Sequence, residues 1–226
     1  LLMSNNGEAF IQIESGTTLN INSLTGFHDY LIAGADNGIV LIGSEVGLFK
    51  QISLELQGNI VSLSANNSVC YGVTDYGEIF HSQDLVNWDI LDFNTFYSGY
   101  YESCNWTTVV VTEQQVAVAG SSANGRPVLF FSTGGNVWTN RNLDYIDMHG
   151  MPAYLTEIPN AMLYDVIKDR FVLACNQGTV MIIPSCSHCN ELHNLGTYQN
   201  LTAISEQAEM LVVVGEDYYI STTNNF

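Results

Sequence analysis

The stretch that decides the fold is residues 31–44, which read LIAGADNGIVLIGS. A short apolar run is followed by Asp, Asn and Gly, then by a second apolar run and a serine. Because Asp, Asn and Gly accept the positive φ of a tight chain reversal, this pattern predicts a β-hairpin. The pattern returns in residues 70–82 (CYGVTDYGEIFHS) and 172–185 (VLACNQGTVMIIPS), so the chain contains an internal repeat.

Residues 1–15, 116–132 and 211–221 follow the same pattern, and the closing serines are about 40 residues apart on average. These serines are Ser15, Ser44, Ser82, Ser132, Ser185 and Ser221. Further apolar strands precede the hairpins and follow the serines. Four short antiparallel strands in a unit of about 40 residues predict a β-propeller blade. A β-sandwich is the alternative, but it would not repeat one hairpin through the chain.

The repeat predicts an all-β fold, a β-propeller of four-stranded antiparallel blades with almost no helix. Six hairpins favour six blades, and five to seven are compatible with the spacing. The first unit lacks its innermost strand and the last its outermost, so we expect incomplete terminal blades. Residues 1–226 are interpreted as a single β-propeller domain, either processed or cut from a longer chain.

An aromatic residue follows four of the serines at a distance of five or six positions. The pairs are Ser44 with Phe49, Ser82 with Trp88, Ser132 with Trp138, and Ser221 with Phe226. Residues 82–88, SQDLVNW, resemble the Asp-box, Ser-x-Asp-x-Gly-x-x-Trp, of sialidases, other BNR-repeat proteins and photosystem assembly-factor propellers. The resemblance implies a structural rim turn in which Ser82 or Asp84 binds backbone amides and the aromatic ring packs between strands.

The charge balance excludes several functions. The chain has 23 acidic and 5 basic residues, for a formal charge of −18. It therefore lacks the cations that bind nucleic acid or an anionic membrane, and no apolar run reaches the roughly 18 residues that span a bilayer. A sialidase holds its substrate with an arginine cluster. Arg126 is predicted in a turn and Arg170 at a strand start, so we expect no convergence with Arg141.

Two long links between units contain the candidate binding residues. Residues 93–106 have six aromatic side chains in fourteen positions, and residues 141–154 mix aromatics with acids. Both join an outermost strand to the next innermost strand, so we expect them on one face near the central channel. Their rings either bind a sugar or a protein, or only pack the links onto the blades. The candidates are Phe96, Tyr97, Tyr100, Tyr101, Trp106, Asp144, Tyr145, Asp147 and His149.

Residues 186–193 carry four side chains that can bind a metal, within eight positions. They are Cys186, His188, Cys189 and His193. Zinc prefers such ligands, but no second Cys pair follows at the usual spacing, so a local disulfide or free thiols are the preferred interpretation. We expect no metal and no cofactor.

Together these patterns predict a non-catalytic recognition or scaffold propeller that binds a glycan or a protein through one face. The first alternative is a propeller-type glycoside hydrolase that uses acidic residues such as Asp144 and Asp147. The second is a structural component of a virion or cell-surface assembly. We expect no nucleic-acid partner and no membrane insertion, and we favour an extracellular or cell-surface location. The oligomeric state stays open.

Overall fold

Five antiparallel sheets follow one another along the chain, each a meander in which consecutive strands are hydrogen-bonded neighbours. A computed structural model provides the structure and describes residues 1–4, 6–44, 49–185, 190–207 and 210–223. Four of the sheets have four strands and the last has three in the described part of the chain. These sheets are propeller blades, which confirms the all-β propeller. Within the described ranges, no helix has the length and apolar character needed to cross a membrane.

The elements have the following bounds in chain order. A two-stranded N-terminal sheet contains β1 (Leu2–Met3) and β2 (Ile11–Gln12). Blade 1 contains β3 (Ile21–Phe27), β4 (Tyr30–Ala35), β5 (Ile39–Ser44) and β6 (Phe49–Ser53). Blade 2 contains β7 (Ile60–Ala65), β8 (Cys70–Thr74), β9 (Glu78–Ser82) and β10 (Asp89–Asp92), followed by the short helix α1 (Phe93–Phe96). Blade 3 contains β11 (Cys104–Val111), β12 (Val116–Ser122), β13 (Pro127–Ser132) and β14 (Thr139–Asn140). A separate hairpin contains β15 (Asp144–Ile146) and β16 (Pro152–Tyr154). Blade 4 contains β17 (Pro159–Asp165), β18 (Arg170–Cys175), β19 (Thr179–Pro184) and β20 (Glu191–Asn194). Blade 5 contains β21 (Leu201–Gln207), β22 (Met210–Gly215) and β23 (Ile220–Thr223).

The turn between the second and third strands forms as the sequence predicts. In blade 1, Asn37 and Gly38 have positive φ values of 60° and 67°. Blade 4 repeats this turn with Gln177 at 56° and Gly178 at 67°. A Cβ at Gly38 would lie 2.8 Å from the side chain of Leu56, so both the backbone conformation and the contact require glycine.

A β-bulge interrupts the innermost strand of each of the five blades. The extra residues are Asn22, Val61, Thr107, Asn160 and Thr202. Three of them donate to a backbone carbonyl of the next blade: Asn22 to Ile60 at 3.1 Å, Thr107 to Pro159 at 2.6 Å, and Asn160 to Leu201 at 2.9 Å. Because a bulge redirects the side chain of its extra residue, it links neighbouring blades here.

The expected sixth blade, at residues 1–15, is only the two-stranded sheet β1–β2. Its turn begins at Ser4, whose Oγ accepts a hydrogen bond from the Gly7 N–H at 2.9 Å. Ser4 therefore has the position that we assigned to Ser15, which instead lies in the link before β3. The described residues form five blades rather than the six that we expected, because the first unit contributes only a two-stranded sheet.

Candidate binding site at the link between blades 3 and 4

The link from blade 3 to blade 4 contains the extra hairpin β15–β16, in which Ile146 pairs with Pro152. Asp147 closes its turn, since its Oδ1 accepts hydrogen bonds from the backbone N–H groups of His149 at 2.9 Å and Met151 at 2.8 Å. One carboxylate oxygen of Asp147, a predicted site residue, thus stabilises the turn of the hairpin. His149 is exposed at the tip.

The hairpin lies at the rim of the propeller, not near the central channel as we expected. Leu143 and Leu155 at its two ends are buried in the core between blades 3 and 4. Just before β20, the outermost strand of blade 4, Asn190 donates from Nδ2 to the backbone carbonyls of Asn142 at 3.1 Å and Asp144 at 2.8 Å. Because the leucines hold the ends of the link, its additional residues fold outward and contact this edge.

A cavity of about 580 Å³ opens beside the hairpin. Its lining includes Arg126 from the turn after β12, Arg141 from the link after β14, and the aromatic ring of Tyr154. Nη2 of Arg141 donates to the backbone carbonyl of Pro184 at 3.3 Å. Two arginines therefore converge, which we did not expect. Arg170 lies elsewhere and forms a buried ion pair with Asp165 at 2.9 Å, so the structure brings together a pair and not a cluster of three.

The hairpin exposes a group of large apolar side chains that sequence reasoning did not single out. Their exposed fractions are 59% for Ile146, 91% for Met148, 61% for Met151 and 67% for Tyr154. Apolar side chains near a tight turn would have been the signal, but the sequence pattern drew attention to Asp144, Tyr145 and Asp147 instead. Asp144 and Tyr145 are half-buried in β15.

The aromatic link after blade 2 separates into inward and outward rings. Phe93 is 1% exposed, and the half-buried rings of Tyr97 and Tyr101 pack against it. Trp106 is also 1% exposed and belongs to the core between blades 2 and 3, so it offers no ring to a ligand. Phe96 and Tyr100 are the outward rings, with 64% and 82% exposure.

The candidate residues that the structure describes fall into two groups, one at each link. The first group packs on the core between blades 2 and 3, and the second belongs to hairpin β15–β16 on the core between blades 3 and 4. The hydroxyl of Tyr97 accepts a hydrogen bond from the backbone N–H of Trp138 at 3.0 Å. Since Trp138 lies just before the outermost strand β14, the first link also reaches the rim.

A second cavity, of about 560 Å³, lies beside Phe96 and is lined in part by Tyr71, His81 and Asp89. Nδ1 of His81 is 3.8 Å from Oδ2 of Asp89. Burial lowers the pKa of His81, an effect that the negative charge of Asp89 opposes. The imidazole is therefore mostly uncharged at pH 7.

The rim turns have side-chain hydrogen bonds to the backbone. Oγ of Ser82 accepts from the Leu85 N–H at 2.8 Å, and Oγ of Ser132 accepts from the Gly135 N–H at 2.8 Å. Both Leu85 and Gly135 have positive φ. Ser44 ends β5 and Phe49 begins β6, Ser221 lies in β23, and Trp88 and Trp138 follow the turns of blades 2 and 3, whereas Phe226 lies outside the described residues.

Three of the four candidate metal ligands, Cys186, His188 and Cys189, also lie outside the described residues. The fourth, His193, is in β20, with Nε2 3.6 Å from an oxygen of Glu191. In the part of the chain that the structure describes, no three His, Cys, Asp or Glu side chains are close enough to hold a metal.

No protein-family profile and no curated protein matches the sequence. Solved structures do match over most of the chain. The β-propeller domain of Cps50 (Swd1) from Myceliophteria thermophila is 15% identical, with a TM-score of 0.65 over 91% of this chain and 65% of that one. YCF48 bound to D1 peptide is 12% identical, with a TM-score of 0.67 over 94% and 67%. The extracellular domain of the hybrid two-component system BT4673 from B. thetaiotaomicron is 14% identical, with a TM-score of 0.71 over 98% and 29%.

These similarities establish the propeller fold. The chain spans 65% of the length of the Swd1 domain.

Proposed function

We propose that this propeller is a non-catalytic recognition module that binds a polypeptide through hairpin β15–β16 and the arginine-lined cavity beside it. The observation that carries the proposal is the exposed apolar group of Ile146, Met148, Met151 and Tyr154 on one short insertion. Contiguous exposed apolar side chains mark interaction surfaces, and flexible methionines adapt to the shape of a partner. Because Leu143 and Leu155 attach the insertion to the core, binding would order few further residues.

A polypeptide fits this surface better than a glycan. Sugar binding relies on flat aromatic faces beside hydrogen-bonding groups, whereas the hairpin presents mainly aliphatic and thioether groups. Structural neighbours support the same choice, since they include YCF48 with a bound D1 peptide, the mitotic checkpoint complex and the nidogen/laminin complex. What those proteins bind is a property of theirs, and only the class of ligand is proposed for this chain.

A second candidate is glycan binding in the cavity beside Phe96. There the exposed ring lies near Gln83 and Asp89, which supply the amide and carboxylate that sugars prefer. This candidate uses the blade 2–blade 3 group, so variants of the two sites separate it from the first.

We also propose that the rim turns form one degenerate Asp-box repeat. Residues 4–7, 82–85 and 132–135 share a serine Oγ that accepts from the N–H three positions later, on a residue with positive φ. Such a turn is structural, so it supports a relationship in fold and leaves the ligand to the links.

The test is selection of a phage-displayed peptide library on the immobilised 226-residue chain, alongside a glycan array. The chain should enrich peptides, and the double variant Met148→Ser/Met151→Ser should weaken their binding about tenfold or more, as expected when exposed anchor side chains are truncated. Val137→Ser/Val166→Ser is the matched control, since these valines are 73% and 77% exposed elsewhere. Glycan binding without peptide enrichment, or equal loss in both double variants, would contradict the proposal.

A further inference from the structure

We infer that the cavity beside the hairpin is a subsite for a carboxylate of the bound polypeptide, supplied by an Asp or Glu side chain or by a C-terminus. This inference rests on the proposed function and specifies the ligand. The chain has only five basic residues against 23 acidic ones, yet Arg126 and Arg141 line the same cavity. Two of the five basic residues of the chain therefore lie at this one cavity.

The rest of the described lining strengthens the preference for an anion. It contains the amides of Asn140 and Asn142 and apolar groups such as Leu155, but no carboxylate. A guanidinium binds a carboxylate through two parallel N–H donors. In a concave site, the guanidinium and the carboxylate are both partly shielded from water. The lining thus has donors for an anionic group and an apolar wall for its carbon chain.

The two arginines have different roles. The hydrogen bond from Arg141 to the carbonyl of Pro184 orients its guanidinium. Asp144 lines an adjoining smaller cavity together with Arg141 and reduces the net positive charge on that side. Arg126 is exposed in its turn and lies away from that second cavity. Arg126 should therefore contribute more to anion binding, with Arg141 as a positioning residue.

The overall charge of −18 limits the kind of ligand. Beyond about 8 Å, salt at physiological strength screens the repulsion, so a single carboxylate at the arginines is still attracted. A ligand with many acids would meet like charge on the surrounding surface. The subsite should consequently select one acid in an otherwise neutral or basic peptide.

The test uses the same phage-displayed library on the wild-type chain and on Arg126→Glu. Wild type should enrich one acidic position or a free C-terminal carboxylate, and Arg126→Glu should lose that enrichment and favour Lys or Arg there. For a selected synthetic peptide, replacing its Glu by Gln, or Arg126 by Gln in the protein, should each raise the Kd about tenfold, while Arg141→Gln should have a smaller effect. Lys50→Glu, an exposed lysine in blade 1, makes the same charge change as Arg126→Glu and should leave selection unaltered.

The outcomes separate this inference from the proposed function. Peptides that depend on Met148 and Met151 but show no acidic preference would overturn the subsite and leave the function in place. Equal effects of Lys50→Glu and Arg126→Glu would also overturn it, since overall charge would then explain the result. Failure of the wild type to select any peptide would overturn both.

Discussion

Asp84 stabilises the rim turn of blade 2 through its charged form. Its Oδ1 accepts from the backbone N–H groups of Asn87 at 2.7 Å and Val86 at 2.9 Å, and these bonds lower the pKa of Asp84 from 3.8 to about 2. A depressed folded-state pKa adds stability above the unfolded pKa, and that stability is lost as the pH falls through the folded value.

We therefore expect Asp84→Ala to lower the Tm at pH 7, with the difference from wild type shrinking between about pH 4 and pH 2. Thermal melts followed by circular dichroism across this range provide the measurement. Glu102→Ala, which removes an exposed acid outside such a turn, is the control. A Tm difference for Asp84→Ala that stays constant down to pH 2 would show that the carboxylate charge is not what stabilises the turn.

Three cysteines are buried thiols in the described part of the chain. Burial raises the pKa of Cys70 to about 12 and that of Cys104 to about 11, with a smaller effect from Glu102 on Cys104, and it also raises the pKa of Cys175. Since the thiolate is the reactive form, iodoacetamide at pH 8 should leave these three unmodified in the native protein and label them in urea. Mass spectrometry of tryptic peptides distinguishes each site, and fast native labelling of Cys70 would contradict the prediction.

At the scale of elements, helix α1 explains why the aromatic link has two sides. Phe93 and Tyr97 are four residues apart and share one face of the turn, which packs on the core. Phe96 projects from another face and is exposed. The sequence shows the aromatic content of this link, but the orientation of each ring depends on the short helix, whose position the repeat did not predict.

Trp106 and Tyr100 belong to the same predicted group but should respond differently to truncation. Trp106→Ala should cost about 3–5 kcal/mol of unfolding free energy, because it empties a core position that Phe93 and Phe130 contact. Tyr100→Ala should change stability by less than about 0.5 kcal/mol, since the ring is exposed. Urea denaturation measures both values. Equal costs would mean that Tyr100 packs against the fold in solution.

At the scale of the whole molecule, the last blade differs from the others in its burial. Val40, Ile79, Leu129 and Val180 occupy the same register position in the third strands of blades 1 to 4 and are 0%, 3%, 0% and 0% exposed. Ile220 is their equivalent in blade 5 and is 68% exposed. These side chains of blades 1 to 4 lie on the side of each blade that packs against the next blade in the chain, and this packing buries them.

This difference predicts position-dependent stability within one repeat. Leu129→Ala should cost about 2–5 kcal/mol of unfolding free energy, while Ile220→Ala should cost less than about 0.5 kcal/mol. Chemical denaturation of both variants is the measurement, with the m-value checked for a common unfolding transition. A loss for Ile220→Ala as large as for Leu129→Ala would show that the face of blade 5 is buried in solution.

The sequence by itself determined the hairpins, the four-stranded unit and the propeller class, because apolar alternation and turn residues act between near neighbours in the chain. The hairpins and turn positions of residues 31–44 and 172–185 could therefore be predicted from local pattern alone. Only the tertiary structure decided three features. Ser4 rather than Ser15 begins the first rim turn, the described residues form five blades, and Arg126 and Arg141 share a cavity. The first two depend on how residues 1–15 pair with one another. The shared cavity depends on where the core fixes Leu143 and Leu155 and on which backbone edge the extra hairpin meets, and contacts of that kind leave no period in the sequence.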